Sequence, residues 1–108
     1  MQSVTEDAAS AFLRAIRGSF MSFRGRFTLH ELVSRGWASV TFSGSRHRIS
    51  FSLDGDGAGE AADVFIGALG DADFDLRGHI LADVSLMGEE RSEGKVRISL
   101  EALTVEDS

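Results

Sequence analysis

Neither cysteine nor proline occurs among the 108 residues. The missing thiols exclude disulfides, zinc–thiolate and iron–sulfur ligation and thiol catalysis, and they leave the redox compartment open. With no proline and no low-complexity or linker-like run, nothing divides the chain, and residues 1–108 are expected to form a single domain. A chain of this length buries roughly two-thirds of its unfolded surface and needs no metal or cross-link to fold. Long apolar runs are missing too, since none approaches the ~18 residues of a membrane span. The opening MQSVTEDAAS carries acids where a secretory signal carries Lys or Arg, so a cytoplasmic protein with no membrane partner is expected.

What is present is charge, unevenly placed. The formal net charge is −6 and the pI about 4.9, which opposes a general affinity for nucleic acid or anionic membrane. Residues 8–53 nevertheless hold seven arginines against the single acid Glu31, a net of +6, whereas residues 54–108 carry a net of −10. Such polarity can pair the two halves within one fold, pair two subunits head to tail, or leave a basic patch on an acidic protein. Ten of the eleven cations are arginine, whose planar fork suits carboxylate and phosphate partners.

Hydrophobic periodicity gives the elements. Thr5, Glu6 and Asp7 offer a helix start, and AASAFLRAIRGSF sets Ala8, Ala11, Phe12, Ala15 and Ile16 on one face before Gly18 stops it. Thr28 with Glu31 resembles a capping box, which predicts a short helix over Leu29–Ser34 ended by Gly36. WASVTFSGSRHRISFSL alternates as a β-hairpin, with Ala38, Val40 and Phe42 facing inward, SGS as the turn, and Ile49, Phe51 and Leu53 on the return. A helix is expected over 59–69. A second hairpin follows, with Phe74, Leu76, Ile80, Ala82, Val84 and Leu86 inward, GEERSEG as the turn, and Val96, Ile98, Leu100 and Ala102 inward. The expected fold is a two-layer α+β sandwich: a four-stranded antiparallel sheet of two β-hairpins, covered on one face by two main helices, in the order α-(short α)-β-β-α-β-β. Residues 7–16, DAASAFLRAI, share with 60–69, EAADVFIGAL, a pattern of acid, two alanines, and Phe five residues after the acid, and each run precedes a hairpin. A duplicated α-β-β unit is one reading of this, and chance likeness of two Ala-rich helices is the other.

The most motif-like stretch is SLDGDGAGEAAD, residues 52–63. As a calcium loop it fails at the fifth position, Ala58, and at the twelfth, Phe65, where a bidentate Glu is needed. As a phosphate cradle it fails because Asp54, Asp56 and Glu60 repel an anion, Glu60 stands where a glycine belongs, and no Lys-Ser/Thr pair follows. It reads as a turn whose glycines supply positive φ and whose acids favour a helix N-terminus.

Alternation also names the sheet face opposite the helices. On it stand Trp37, Ser39, Thr41, Arg48, Ser50, Ser52, Arg77, His79, Leu81, Asp83, Ser85, Met87, Lys95, Arg97, Ser99, Glu101, Leu103 and Val105, a face neither plainly polar nor plainly apolar, whose large apolar members exceed what an idle solvated face requires. Trp37, Leu81, Met87, Leu103 and Val105 are the candidate interface residues. Arg48, Arg77, His79 and Arg97 are the candidate lining of a basic ligand site. His79 lies ~13 Å along its strand from Asp83, too far for that acid to orient it, so no catalytic residue is assigned. His47 in RHR points inward near a strand start, where its ring is expected to reach water. His30, His47 and His79 lie in three elements with no HxH or HxxxH pair, so no metal site and no cofactor are expected.

These features favour a small non-enzymatic protein that acts as a homodimeric binding or assembly module, or meets another protein, through its outer sheet face. The alternative is a small anionic ligand bound around Arg77 and His79. A third reading is single-stranded nucleic acid held by the Arg/Phe segment 14–27, in which Phe20 and Phe23 interleave with Arg17, Arg24 and Arg26; the acidic pI opposes it.

Overall fold

A computed structural model describes residues 7–71, 74, 76 and 78–106. Helix α1 (Ala8–Gly18) precedes a hairpin of β1 (Arg26–Ala38) and β2 (Ser43–Asp54). Helix α2 (Ala58–Ala68), extended by a 3-10 turn at Leu69–Asp71, precedes a hairpin of β3 (His79–Ser92) and β4 (Lys95–Glu106). The strands form one antiparallel sheet in the order β1-β2-β4-β3, with both helices packed on one face. The fold is therefore the two-layer α+β sandwich that the alternation predicts. Its topology has a twofold character, because each half supplies one helix, one edge strand and one central strand. No helix among the described residues is long and apolar enough to cross a membrane.

Asp7 opens α1 by accepting the Ser10 backbone N–H at 2.7 Å, and this bond holds its carboxyl below the usual aspartate range. The glycine-rich loop is the turn its composition implies: Gly55 and Gly57 take φ of 127° and 82°, and α2 starts at once with Glu60 in its first turn. Ala8, Ala11, Phe12 and Ile16 of α1, and Ala58, Ala62 and Phe65 of α2, turn into the core. There they meet Ile49, Phe51 and Leu53 of β2 and Val96, Ile98, Leu100 and Ala102 of β4. Phe51 is the hub. Phe27 stacks on it at 4.9 Å between ring centroids and Phe65 meets it edge-on at 5.9 Å, while Phe20 touches all three rings.

Three sequence expectations are corrected. The residues expected as a short helix, 29–34, lie inside β1. A bulge at His30 shifts the register between Leu29 and Glu31, so that Leu29 and Leu32 both face the core. Their spacing of three imitates a helix. The first turn is 39–42 and not SGS: Ser39 and Phe42 exchange backbone and hydroxyl hydrogen bonds, leaving Val40 and Phe42 exposed. In β3, bulges at Ala82 and Met87 break the alternation. Leu81 and His79 consequently share the helix-side face with Val84, and Ile80 points outward, the reverse of strict alternation.

Gly44, on the outer face of β2, lies beneath the Trp37 ring, and a Cβ there would overlap the Thr104 carbonyl oxygen and come within 2.9 Å of that ring. Gly44→Ala is expected to cost about 3 kcal/mol, read as a lowered urea midpoint at unchanged m-value. A loss below about 0.5 kcal/mol, within the scatter of ordinary surface substitutions, would show that β2 and β4 are less rigidly apposed there.

Candidate functional site

Because the two central strands carry no bulge, the outer face resolves into rows read across the sheet from β1 to β3. The row nearest the first hairpin's turn is Trp37, Gly44, Val105, Ile80. Next come Arg35, Arg46, Leu103, Asp83, and then Val33, Arg48, Glu101, Ser85. The middle of the face is small and polar, with Ser50 beside Ser99 and Ser52 beside Arg97, and the far row is Arg26, Asp54, Lys95, Ser92. Arg97 donates to the Ser50 hydroxyl at 3.1 Å, and His30, displaced by its bulge, reaches the Ser52 hydroxyl.

Three of the five residues expected at an interface therefore come together, Trp37, Val105 and Leu103, at one end of the face. Leu81 does not join them, because the bulge at Ala82 turns it toward the helices. Met87 is itself the residue inserted at a bulge and is exposed. Ile80 takes the place expected of Leu81 and is 52 % exposed. Only the bulge could reveal it, and nothing in the sequence marks that bulge. The Trp37 indole N–H is buried and finds no acceptor among the described residues.

The basic site does not assemble in the same way. Arg48 and Arg97 share the outer face, but Arg97 stands opposite Ser52, four residues along β2 from Arg48, which is ~13 Å. Arg48 and Arg46 both lean on Glu101, at 3.8 and 2.9 Å. His79 is on the helix-side face, and Arg77 lies outside the described residues. No protein-family model, no curated protein and no solved structure matches the chain. The site is therefore read from its chemistry.

The helix side offers a groove of about 1010 Å³ between the α1–β1 connection and α2. Phe20, Phe23, Phe65 and Leu69 line it with buried or half-buried apolar rings and chains, and the exposed Val64, Arg24, Asp56, Glu60 and Asp71 border it. Phe20, Phe23 and Phe27 of the Arg/Phe segment are packed against the core, and Arg17 sits 4.8 Å above the Phe27 ring. These rings are core members, not a free stacking platform.

A second cluster, missed in the sequence, surrounds His47. It stands on a central strand, not at an edge, and is 1 % exposed beside Phe12, so its ring does not reach water. Thr104 donates its hydroxyl to the Ser45 carbonyl and accepts from His47 Nε2 at 2.9 Å. In the neutral ring that burial favours, His47 Nδ1 accepts from the Ser34 hydroxyl at 2.6 Å, so both nitrogens are satisfied. Burial, and then the neighbouring His79, push its pKa below the ordinary 6.5, with Asp7 opposing. The serine–histidine contact resembles a nucleophile and its base, but the orienting group is a hydroxyl and not a carboxylate that could stabilise an imidazolium.

Below pH 6.5 the unfolded chain protonates this histidine while the folded chain resists, so stability falls as pH drops through 6.5 toward the lower folded value. Urea midpoints between pH 8 and 5 are expected to fall less steeply in His47→Gln than in the natural chain. Parallel pH profiles would assign the acid sensitivity to other groups.

Proposed function

We propose that this chain is a non-enzymatic assembly module that forms a homodimer through its outer sheet face. The observation that carries this reading is the row Trp37, Gly44, Val105, Ile80 with Leu103 behind it. This is an apolar strip that neither helix covers, and it contains a buried indole donor without an acceptor. Large aromatic anchors beside small residues are where association energy concentrates. The edges are less suited to it. Both edge strands, β1 and β3, are interrupted by bulges, which disfavour strand-to-strand pairing with another chain.

The anionic-ligand reading is weaker because the described members of its basic site point to two faces or are already paired with Glu101. The nucleic-acid reading is weaker because its phenylalanines are part of the core.

Trp37→Ala combined with Leu103→Ser is expected to raise the dimer dissociation constant at least thirtyfold, about 2 kcal/mol at one aromatic anchor, while the far-UV circular dichroism spectrum stays unchanged. Solution mass by light scattering over a concentration series measures it. A natural chain that is monomeric at the highest concentration, or a variant that associates as tightly as the natural chain, would remove this reading.

A further inference from the structure

The outer face is not only apolar at one end; its charges are laid out to fit a copy of itself in one particular orientation. Two sheets that meet face to face under twofold symmetry can be related by an axis along the strands or by an axis across them. An axis along the β2–β4 seam keeps each residue in its own row and carries it to the mirror column, so β1 lies over the partner's β3 and β2 over the partner's β4.

That operation sets the apolar row on its own copy, Trp37 against Ile80 and Gly44 against Val105. In the next row it sets Arg35 against Asp83. Further along it sets Arg48 against Glu101 and Asp54 against Lys95. No row places like charge on like charge. The axis across the strands reverses the rows instead. It drives Trp37 onto Arg26 and Val105 onto Lys95, and it opposes Asp83 to Glu90, with both apolar burial and charge against it.

Resting on the homodimer reading above, we propose that the second copy docks with its dyad along the strands, so that Arg35 of each protomer pairs with Asp83 of the other. Within one chain these two residues stand at opposite edges of the same row, ~14 Å apart across three strand spacings, and neither has an ion-pair partner among the described residues. The area is sufficient. Four strands at ~4.8 Å by twelve residues at ~3.3 Å give ~750 Å² per protomer, close to the ~800 Å² per partner of a stable complex. The ~30° rotation usual between packed sheets displaces Arg35 and Asp83, ~12 Å from the centre of the face, by about 6 Å. The long arginine side chain spans such a displacement.

The test is a charge exchange read by sedimentation at low and at physiological salt. Arg35→Asp and Asp83→Arg each put like charges together twice per homodimer, and each is expected to raise the dissociation constant about tenfold or more. Because both residues are exposed at sheet edges, both variants are expected to keep the natural circular dichroism spectrum, with melting lowered only as far as the weakened association requires. An equimolar mixture of the two variants forms heterodimers in which both contacts are attractive, one natural and one exchanged. It is expected to regain most of the lost affinity, and the chain carrying both substitutions is expected to do the same. If the natural chain dimerises and depends on Trp37, but the mixture binds no more tightly than either variant alone, the dyad along the strands is wrong while the homodimer reading stands. A natural chain that stays monomeric overturns both.

Discussion

The pairing of β2 with β4 is the constraint on which the rest of the molecule depends. It runs from Gly44 opposite Val105 to Asp54 opposite Lys95 without a bulge, and it joins two α-β-β halves that otherwise touch mainly through helix packing. An unbroken ladder keeps a strict period of two. Ile49, Phe51 and Leu53 therefore face the helices together with Val96, Ile98, Leu100 and Ala102, and every alternate residue faces out. The aromatic core around Phe51 and the row structure of the outer face are two consequences of one register.

The same distinction explains what was legible in the sequence. Central strands could be read because nothing interrupts their alternation, and the helices because their apolar faces keep the 3–4 spacing. Edge strands could not. His30, Ala82 and Met87 are each one residue too many for the partner strand, and an inserted residue looks like nothing special in a sequence. It nevertheless reverses the facing of all residues on one side of it. That is why Leu29–Ser34 imitated a helix, and why Ile80 and Leu81 exchanged faces. Val40 and Phe42 misled in the opposite sense: as β-formers they suggested strand, but the Ser39–Phe42 hydrogen bonds close a turn around them. Of the candidate surface, Trp37, Leu103 and Val105 were readable because they lie on unbulged stretches, and Ile80 was hidden behind a bulge.

Polar groups in the sheet are small or neutral wherever they are enclosed. His47 is held between two hydroxyls, and burial favours its neutral form. Among the described residues charged groups are confined to the surface, where their pairs are individually weak. Arg91 illustrates this on the helix side: it reaches across to Asp63 at 2.6 Å and to Glu89, and ties α2 to the β3 edge. These bonds keep its guanidinium firmly protonated, but an exposed pair guides orientation more than it stabilises.

The charge asymmetry of the chain acquires a spatial meaning from the strand order. Because the first hairpin occupies one side of the sheet and the second the other, a polarity along the sequence becomes a polarity across the half of the face nearest the first hairpin's turn, with Arg35, Arg46 and Arg48 on one side and Glu101 and Asp83 on the other, while Asp54 and Lys95 reverse it in the far row. Within the chain only the two central columns are close enough to compensate, and they do so at Glu101. The outer columns are separated by the width of the sheet, so Arg35 and Asp83 cannot meet in one molecule. A sheet with one uncovered face and oppositely charged margins is complementary to its own image turned about the strand direction, and that complementarity comes from placing two unlike hairpins side by side.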